Sequence, residues 1–451
     1  MDNLIYWIWL SLCCAPAGST FSTLLNKIGD AKAVYEAEEY EILACLDPKN
    51  PDRAYLINKD LQHASEIYNF CKKRGVGLLA YCDDKYPVAL RKIQNPPPIL
   101  YYRGVLPDFN SKPFVSVVGT RSLSDYGRKN AFKISYDIAC AGVSVVSGMA
   151  KGIDGVATAG AIAAEGSTVA ILGSGIDVCY PKQHLTLARE IVKEGCILTE
   201  FPPATPPMKQ NFPKRNRIIS AISSATFVVE GPEGSGALIT ARCAKEQGKP
   251  VFALPANISS KQSEVTTLLL KNGAKPCTMA EDILRELETE FPSQVNLFKL
   301  SARCPVDMMH VLRTLKVDAN CPNDDIYSPS KITPRGYNST RAAQRSLSNN
   351  PSQSLVPEHR EVQVQPSLTE QAPVLDLSEA AHVGTEKGEE FVFDKLALKL
   401  YKRIPQRGGC EIESLVDDKT PLREVMRLLL KLEMGKFVVL TPGDRVERKT
   451  K

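Results

Sequence analysis

Between residues 114 and 254, six short apolar runs of strand length alternate with stretches of helix length. The runs are Phe114–Val118, Val143–Val146, Thr168–Leu172, Cys196–Thr199, Thr226–Val229 and Pro250–Leu254. Helices are expected over Ser124–Ala141, Asp154–Ala164, His184–Lys193, Thr240–Gln247 and Thr266–Asn272. A run that is apolar throughout belongs to a strand covered on both faces, and repeated strand–helix–strand order makes neighbouring strands parallel. The pattern therefore predicts an α/β domain built on a parallel sheet.

A chain of 451 residues is too long for one core. Residues 1–85 show helical spacing around Leu24, Leu25, Ile28, Val34, Ile42, Leu61, Ile67 and Phe70, with a short strand expected from Gly75 to Tyr81. The apolar start, Leu4 to Cys14, lacks the positive flank of a signal peptide, carries Asp2 before it and is too short to span a bilayer, so a buried helix is expected. No other segment approaches membrane length. The α/β domain is placed at 86–293 and a disordered linker at 294–389, where Ser, Asn, Gln, Pro and Glu dominate, with a short helix near Val306–Leu315. Residues 390–451 read as three helices, Phe393–Lys402, a piece near Ile412–Val416 and Leu422–Glu433, followed by a β-hairpin at Gly435–Gly443, the pattern of a small winged-helix domain.

In an open parallel sheet, ligands bind where the strands end, so the loops after the strands are the candidate site. The first loop is Gly119-Thr120-Arg121, with a small residue, a hydroxyl and a guanidinium fork. The second holds Ser147, Gly148, Lys151 and then Asp154; the third is Gly173-Ser174-Gly175; the fifth is Glu230 to Gly236, with Gly234, Ser235 and Gly236 at its end. One Gly-rich turn signifies little, but four around one sheet edge point to a shared anion-binding crevice. The loops lack the three-glycine dinucleotide fingerprint. Lys209 to Arg217 adds four cations in nine residues without one acid: Lys209, Lys214, Arg215 and Arg217, with Asn211, Phe212 and Asn216 among them. Cations that track phosphates around an aromatic that can stack on a base suit single-stranded nucleic acid. The bland alternative is a solvated basic loop with Phe212 anchored in the core.

The net charge of +5 is too mild to announce nucleic acid by itself, so any basic surface must be local. Thirteen cysteines without a Cys-x-x-Cys pair and only five histidines give no zinc spacing and no disulfide scaffold, which fits reduced thiols in a cytoplasm. No nucleophile elbow, phosphate-loop lysine or paired metal carboxylates appear. Asp154, Asp177, Glu200 and Glu230 lie near strand ends, where capping or pairing with Arg121 or Arg217 is the expected role.

These motifs together resemble the DNA-processing protein DprA (Smf) family. The resemblance runs in order through Pro96-Pro97-Pro98, Val118 to Arg121, Ser147 to Asp154, Leu172 to Asp177 with Tyr180-Pro181, Glu200 to Pro202, Asn211 to Ile218 and Gly234 to Ala241. It implies an extended Rossmann-like domain flanked by a small helical (SAM-like) domain and a C-terminal winged helix. It also implies homodimerisation through the Rossmann-like domain, single-stranded DNA as ligand, RecA recombinase as partner in natural transformation, no cofactor and no catalysis. On the matching positions, Arg121, Lys214, Arg215 and Arg217 would contact phosphates. The chain departs from the family at Thr120, where a serine is usual, at Ala256, where glycine follows Pro255, and at Val265 to Leu270, which lack a glycine and a side-chain amide.

Two other readings compete. A nucleotide-processing enzyme of the phosphoribohydrolase type would carry a Pro-Gly-Gly-x-Gly-Thr-x-x-Glu motif; the nearest stretch, Glu230 to Thr240, lacks the closing glutamate that would serve as acid or base. In the third, the protein is a scaffold whose winged helix binds a protein partner.

Overall fold

The computed structural model describes residues 3–301 and 306–317, with short C-terminal stretches at 381–384, 390–393, 400, 403–405, 410–415, 425, 429, 438–441 and 445–448. The chain divides into two units, Met1–Ser352 and Gln353–Lys451.

The first unit is organised by a nine-stranded sheet in the order β1-β2-β6-β5-β4-β3-β7-β8-β9. Its strands are β1 (Gly77–Ala80), β2 (Ile99–Gly104), β3 (Phe114–Val118), β4 (Ser144–Ser147), β5 (Thr168–Ile171), β6 (Cys196–Thr199), β7 (Ala225–Val228), β8 (Val251–Ala253) and β9 (Lys275–Pro276). From β6 to β9 every pairing is parallel, as the apolar runs require. Sequence and structure differ at the rims. β2 pairs antiparallel with both β1 and β6, so the sheet is mixed, and β9 adds a two-residue strand at the other edge.

All five residues of β3 are buried, as a central strand demands. One face is covered by the helices Asp125–Cys140 and Ile153–Ala163, through Ile134, Ile138, Val156 and Ala159. The other is covered by Asn211–Ile222 and Gly236–Glu246, through Ile218, Ile219, Ala237 and Ala241.

The expected N-terminal helix, Leu4–Cys13, is the core of the small helical region, with Trp7 and Leu10 buried. Trp7 meets Phe21 edge-on at 6.2 Å, and Trp9 meets Tyr35 at 5.2 Å. Among the described residues no helix is long and apolar enough to cross a membrane.

Two expectations are corrected. No helix is expected over the basic stretch, yet Asn211–Ile222 is one, which removes the alternative of a solvated loop. Pro213 hid it, yet proline is tolerated in a first turn, where backbone N–H groups have no intrahelical partner. The stretch 294–389 is not disordered from its start. Val295, Leu312, Leu315 and Val317 are buried against the α/β core, and Asp307 caps the helix Met308–Thr314, the short helix expected near Val306–Leu315, through Met309 and His310 N–H. A few apolar residues at helical spacing suffice once a preformed surface receives them. Within the expected linker, Ala381–Gly384 also pairs antiparallel with Glu390–Phe393, which precedes most of the helix expected over Phe393–Lys402.

In the second unit Arg445–Arg448 pairs with both Val438–Thr441 and Cys410–Glu411, giving a three-stranded antiparallel sheet whose strand Arg445–Arg448 lies beyond the Gly435–Gly443 expected for the hairpin. Ile412–Leu415, expected as a helix, is a 3-10 turn. Most of the residues expected to form the other winged-helix helices lie outside the described set.

Candidate nucleic-acid interface

The strand order reverses at β3: the chain proceeds through β4, β5 and β6 on one side and through β7, β8 and β9 on the other. The carboxyl ends at such a switch leave a crevice between diverging loops. Here the loops after β3 and β7 are tied together. Thr120 N–H donates to the Glu230 carbonyl at 2.9 Å, and the buried Glu230 carboxylate accepts from Ser124 N–H at 2.9 Å and Ser124 Oγ at 2.7 Å. Glu230 is thus a loop clamp. Gly119 is required by packing, because a Cβ there would stand 2.5 Å from Ile153.

The helix Asn211–Ile222 sorts the basic cluster by its period. Arg215, 4 % exposed, points inward; Nη1 donates to the Gly148 carbonyl at 2.9 Å and to the Ile171 carbonyl, and Nε to Asn216 Oδ1 at 3.1 Å. A Cβ on Gly148 would meet both Arg215 Nη1, at 2.4 Å, and Asp154 Oδ2, at 2.5 Å, so cation and carboxylate converge on this glycine. Burial pulls the Arg215 guanidinium down to about 10 while Asp154 opposes the shift, and burial pushes Asp154 up against the pull of Arg215. Arg217 Nη2 donates to Glu200 Oε2 at 2.6 Å, with both side chains largely buried. Burial raises the Glu200 carboxyl, and Arg217 counters it. Arg215, expected on a phosphate, is engaged between the sheet and the loop after β4, and Arg217, also expected on a phosphate, ties the helix to the loop after β6 through Nη2. Burial of an arginine in a strand-end crevice needs such partners, because its charge cannot be left uncompensated.

The other expected residues divide in the same way. Thr120, Ser147, Gly148, Asn211 and Asn216 are buried. Thr120 Oγ1 accepts from Ser122 N–H at 3.1 Å, Ser147 Oγ donates to the Val117 carbonyl at 2.7 Å, and Asn216 Nδ2 donates to the Gly236 carbonyl at 3.2 Å. The side chains of Thr120, Ser147 and Asn216 serve the scaffold. Arg121, Lys209, Gly234 and Gly236 are exposed, and Gly119, Lys151, Phe212, Lys214 and Ser235 are half-buried. The Arg121 guanidinium lies 5.0 Å from the Phe212 ring centroid, and Tyr180, in the loop after β5, lies 5.6 Å from Phe212 on another side. Gly173 lets Phe212 in: a Cβ there would be 2.8 Å from its ring. Gly234, at φ +79°, turns the chain into the helix Gly236–Glu246, whose first turn Ser235 caps through Ala237 N–H. Tyr180 was not among the expected site residues; an aromatic side chain inside a Gly-rich strand-end loop was the available signal.

The acids near the crevice have architectural roles. Besides those described, Asp177 Oδ1 accepts from Ala204 N–H at 2.7 Å. His184 is buried, with Nδ1 3.0 Å from the Met149 carbonyl oxygen. Thr240 stands where the phosphoribohydrolase motif would close with glutamate, and it is buried. Among the described residues no three His, Cys, Asp or Glu groups come together as metal ligands.

Residues 77–288 match the family model of DNA recombination-mediator protein A. Over 216 residues the chain is 38 % identical to the DNA processing protein DprA of Bacillus subtilis, covering 48 % of this chain and 73 % of that one. Over 206 residues it is 40 % identical to DprA of Streptococcus pneumoniae, covering 46 % and 72 %. The X-ray structure of the S. pneumoniae protein superposes with a TM-score of 0.56 at 32 % identity, covering 63 % of this chain and 98 % of that one.

Proposed function

The chain belongs to the DNA recombination-mediator protein A family, and on that premise we propose that it holds single-stranded DNA along the carboxyl edge of its sheet. The observation that carries this reading is the Arg121–Phe212–Tyr180 group beside the exposed Gly234 to Gly236 turn. A base stacked on an aromatic side chain contributes about 1–3 kcal/mol whatever its identity, and a cation alongside neutralises phosphate. Helix amides at the Gly236 end add a partial positive charge for the backbone. A duplex already stacks its bases on one another, so this combination favours a single strand.

The role is binding, not catalysis. Asp154, Asp177, Glu200 and Glu230 are each engaged in holding loops, and the phosphoribohydrolase reading lacks its acid or base at Thr240. The family resemblance extends the reading to RecA recombinase as the partner that receives the strand, to a second copy bound through the Rossmann-like domain and to the cytoplasm as the compartment. Titrating a labelled oligonucleotide, single-stranded and as duplex, tests the ligand. Tighter binding of the single strand is expected; equal or tighter binding of the duplex overturns the proposal.

A further inference from the structure

We infer that Tyr126 is a second base-stacking platform, so that a bound strand crosses the switch point instead of ending at Phe212. The inference rests on the crevice being the single-stranded DNA site. Tyr126 stands in the first turn of the helix that follows β3, and it is 49 % exposed. Its hydroxyl donates to the Pro255 carbonyl at 2.7 Å, in the loop after β8. The side chain therefore reaches over the end of β7 toward β8, on the opposite side of the switch from Tyr180 and Phe212.

A single exposed aromatic is ordinary. This one is anchored at both ends. The helix start beneath it is fixed by Ser124, which accepts from Gly127 N–H at 3.0 Å and is itself held by Glu230. The packing leaves no slack, since a Cβ on Gly127 would come within 2.1 Å of the Glu230 carboxylate. With its hydroxyl tied as well, the ring has little rotamer freedom left to lose when a base stacks on its face.

The charges on the two sides of the switch differ. The Phe212 side has Arg121, Lys209 and Lys214. On the Tyr126 side, Asp125 is exposed and pairs with Arg128 at 2.7 Å, and Glu233, also exposed, lies in the loop after β7, where its N–H donates to Glu264 Oε2. Acids repel phosphate, so the strand gains from its base faces there and from its backbone near Arg121. The two halves should then differ in salt dependence.

The test titrates the full chain with fluorescent oligothymidines of increasing length at several salt concentrations. In the wild type, affinity rises again once the oligonucleotide is long enough to reach past Phe212. Tyr126→Ala abolishes that second gain, by about tenfold, leaves the shortest binding oligonucleotides unaffected and leaves the salt slope unchanged. Tyr126→Phe keeps most of the gain, because the ring supplies the stacking and the hydroxyl only holds it in place. Arg121→Ala weakens every length and flattens the slope. Tyr126→Ala matching the wild type at all lengths, or Tyr126→Phe losing as much as Tyr126→Ala, overturns the inference while an Arg121→Ala defect leaves the crevice in place. An Arg121→Ala variant that binds normally removes the crevice reading and this inference with it.

Discussion

The core side of the helix Asn211–Ile222 and the crevice rim just outside it both carry cations and use them in opposite ways. Inside, Arg215 is buried, bonded to backbone carbonyls and opposed by Asp154, and Arg217 is half-buried and paired with Glu200. Outside, Arg121 lies over Phe212 with its charge turned to solvent. A buried cation cannot meet a phosphate without abandoning its partners, whereas an exposed one lacks the desolvated partners that make removal costly. The contrast separates residues that build the crevice from residues that use it, though the linear sequence presents Lys214 and Arg215 as one cluster.

The largest effect that sharpens this contrast is expected at Arg215. Arg215→Met leaves Asp154 buried without its cation, and denaturant unfolding should show a loss of about 3–5 kcal/mol. A variant of unchanged stability that has lost DNA binding would place Arg215 on the ligand instead. Phe212→Ala comes next. It should weaken single-strand binding by about 1–3 kcal/mol while the salt slope stays near the wild-type value, because a stacking surface is lost and no counterion-releasing contact is removed.

The smallest effect concerns the far end of the same helix. Lys249 Nζ donates to the carbonyls of Ser220, Ala221 and Ser223 and so caps the C-terminus. Burial lowers its amine to about 8. Between that value and the ordinary lysine range the unfolded chain holds a proton that the folded protein has released, so this group makes stability rise with pH across the window. Unfolding curves at pH 8 and pH 10 should show the wild type gaining on Lys249→Met by on the order of 1 kcal/mol. A constant difference would remove the buried amine from the account.

How much of this was legible in sequence depended on the length scale of the signal. The six expected parallel strands stand within one or two residues of their expected limits, because a buried run such as Phe114–Val118 is apolar throughout. β2 was hidden because Ile99–Gly104 mixes Tyr and Arg with apolar residues. The strand-end loops were found by their glycines. Which side chains in them face solvent was not legible, since that depends on the phase of a helix that Pro213 disguised. Tyr126 was missed for a different reason: nothing in its neighbourhood of sequence shows that its hydroxyl reaches Pro255, more than a hundred residues away.

The central claim is that the rim, and not the buried cluster, grips single-stranded DNA. Fluorescence anisotropy of a labelled single strand across several salt concentrations, comparing wild type with Arg121→Ala/Lys214→Ala, tests it most directly. The account predicts uniform weakening across sequences, a flatter salt slope by about one unit for each phosphate contact removed and an unfolding midpoint close to the wild type. Unchanged affinity and slope in a folded double variant would contradict it and place the DNA elsewhere on the molecule.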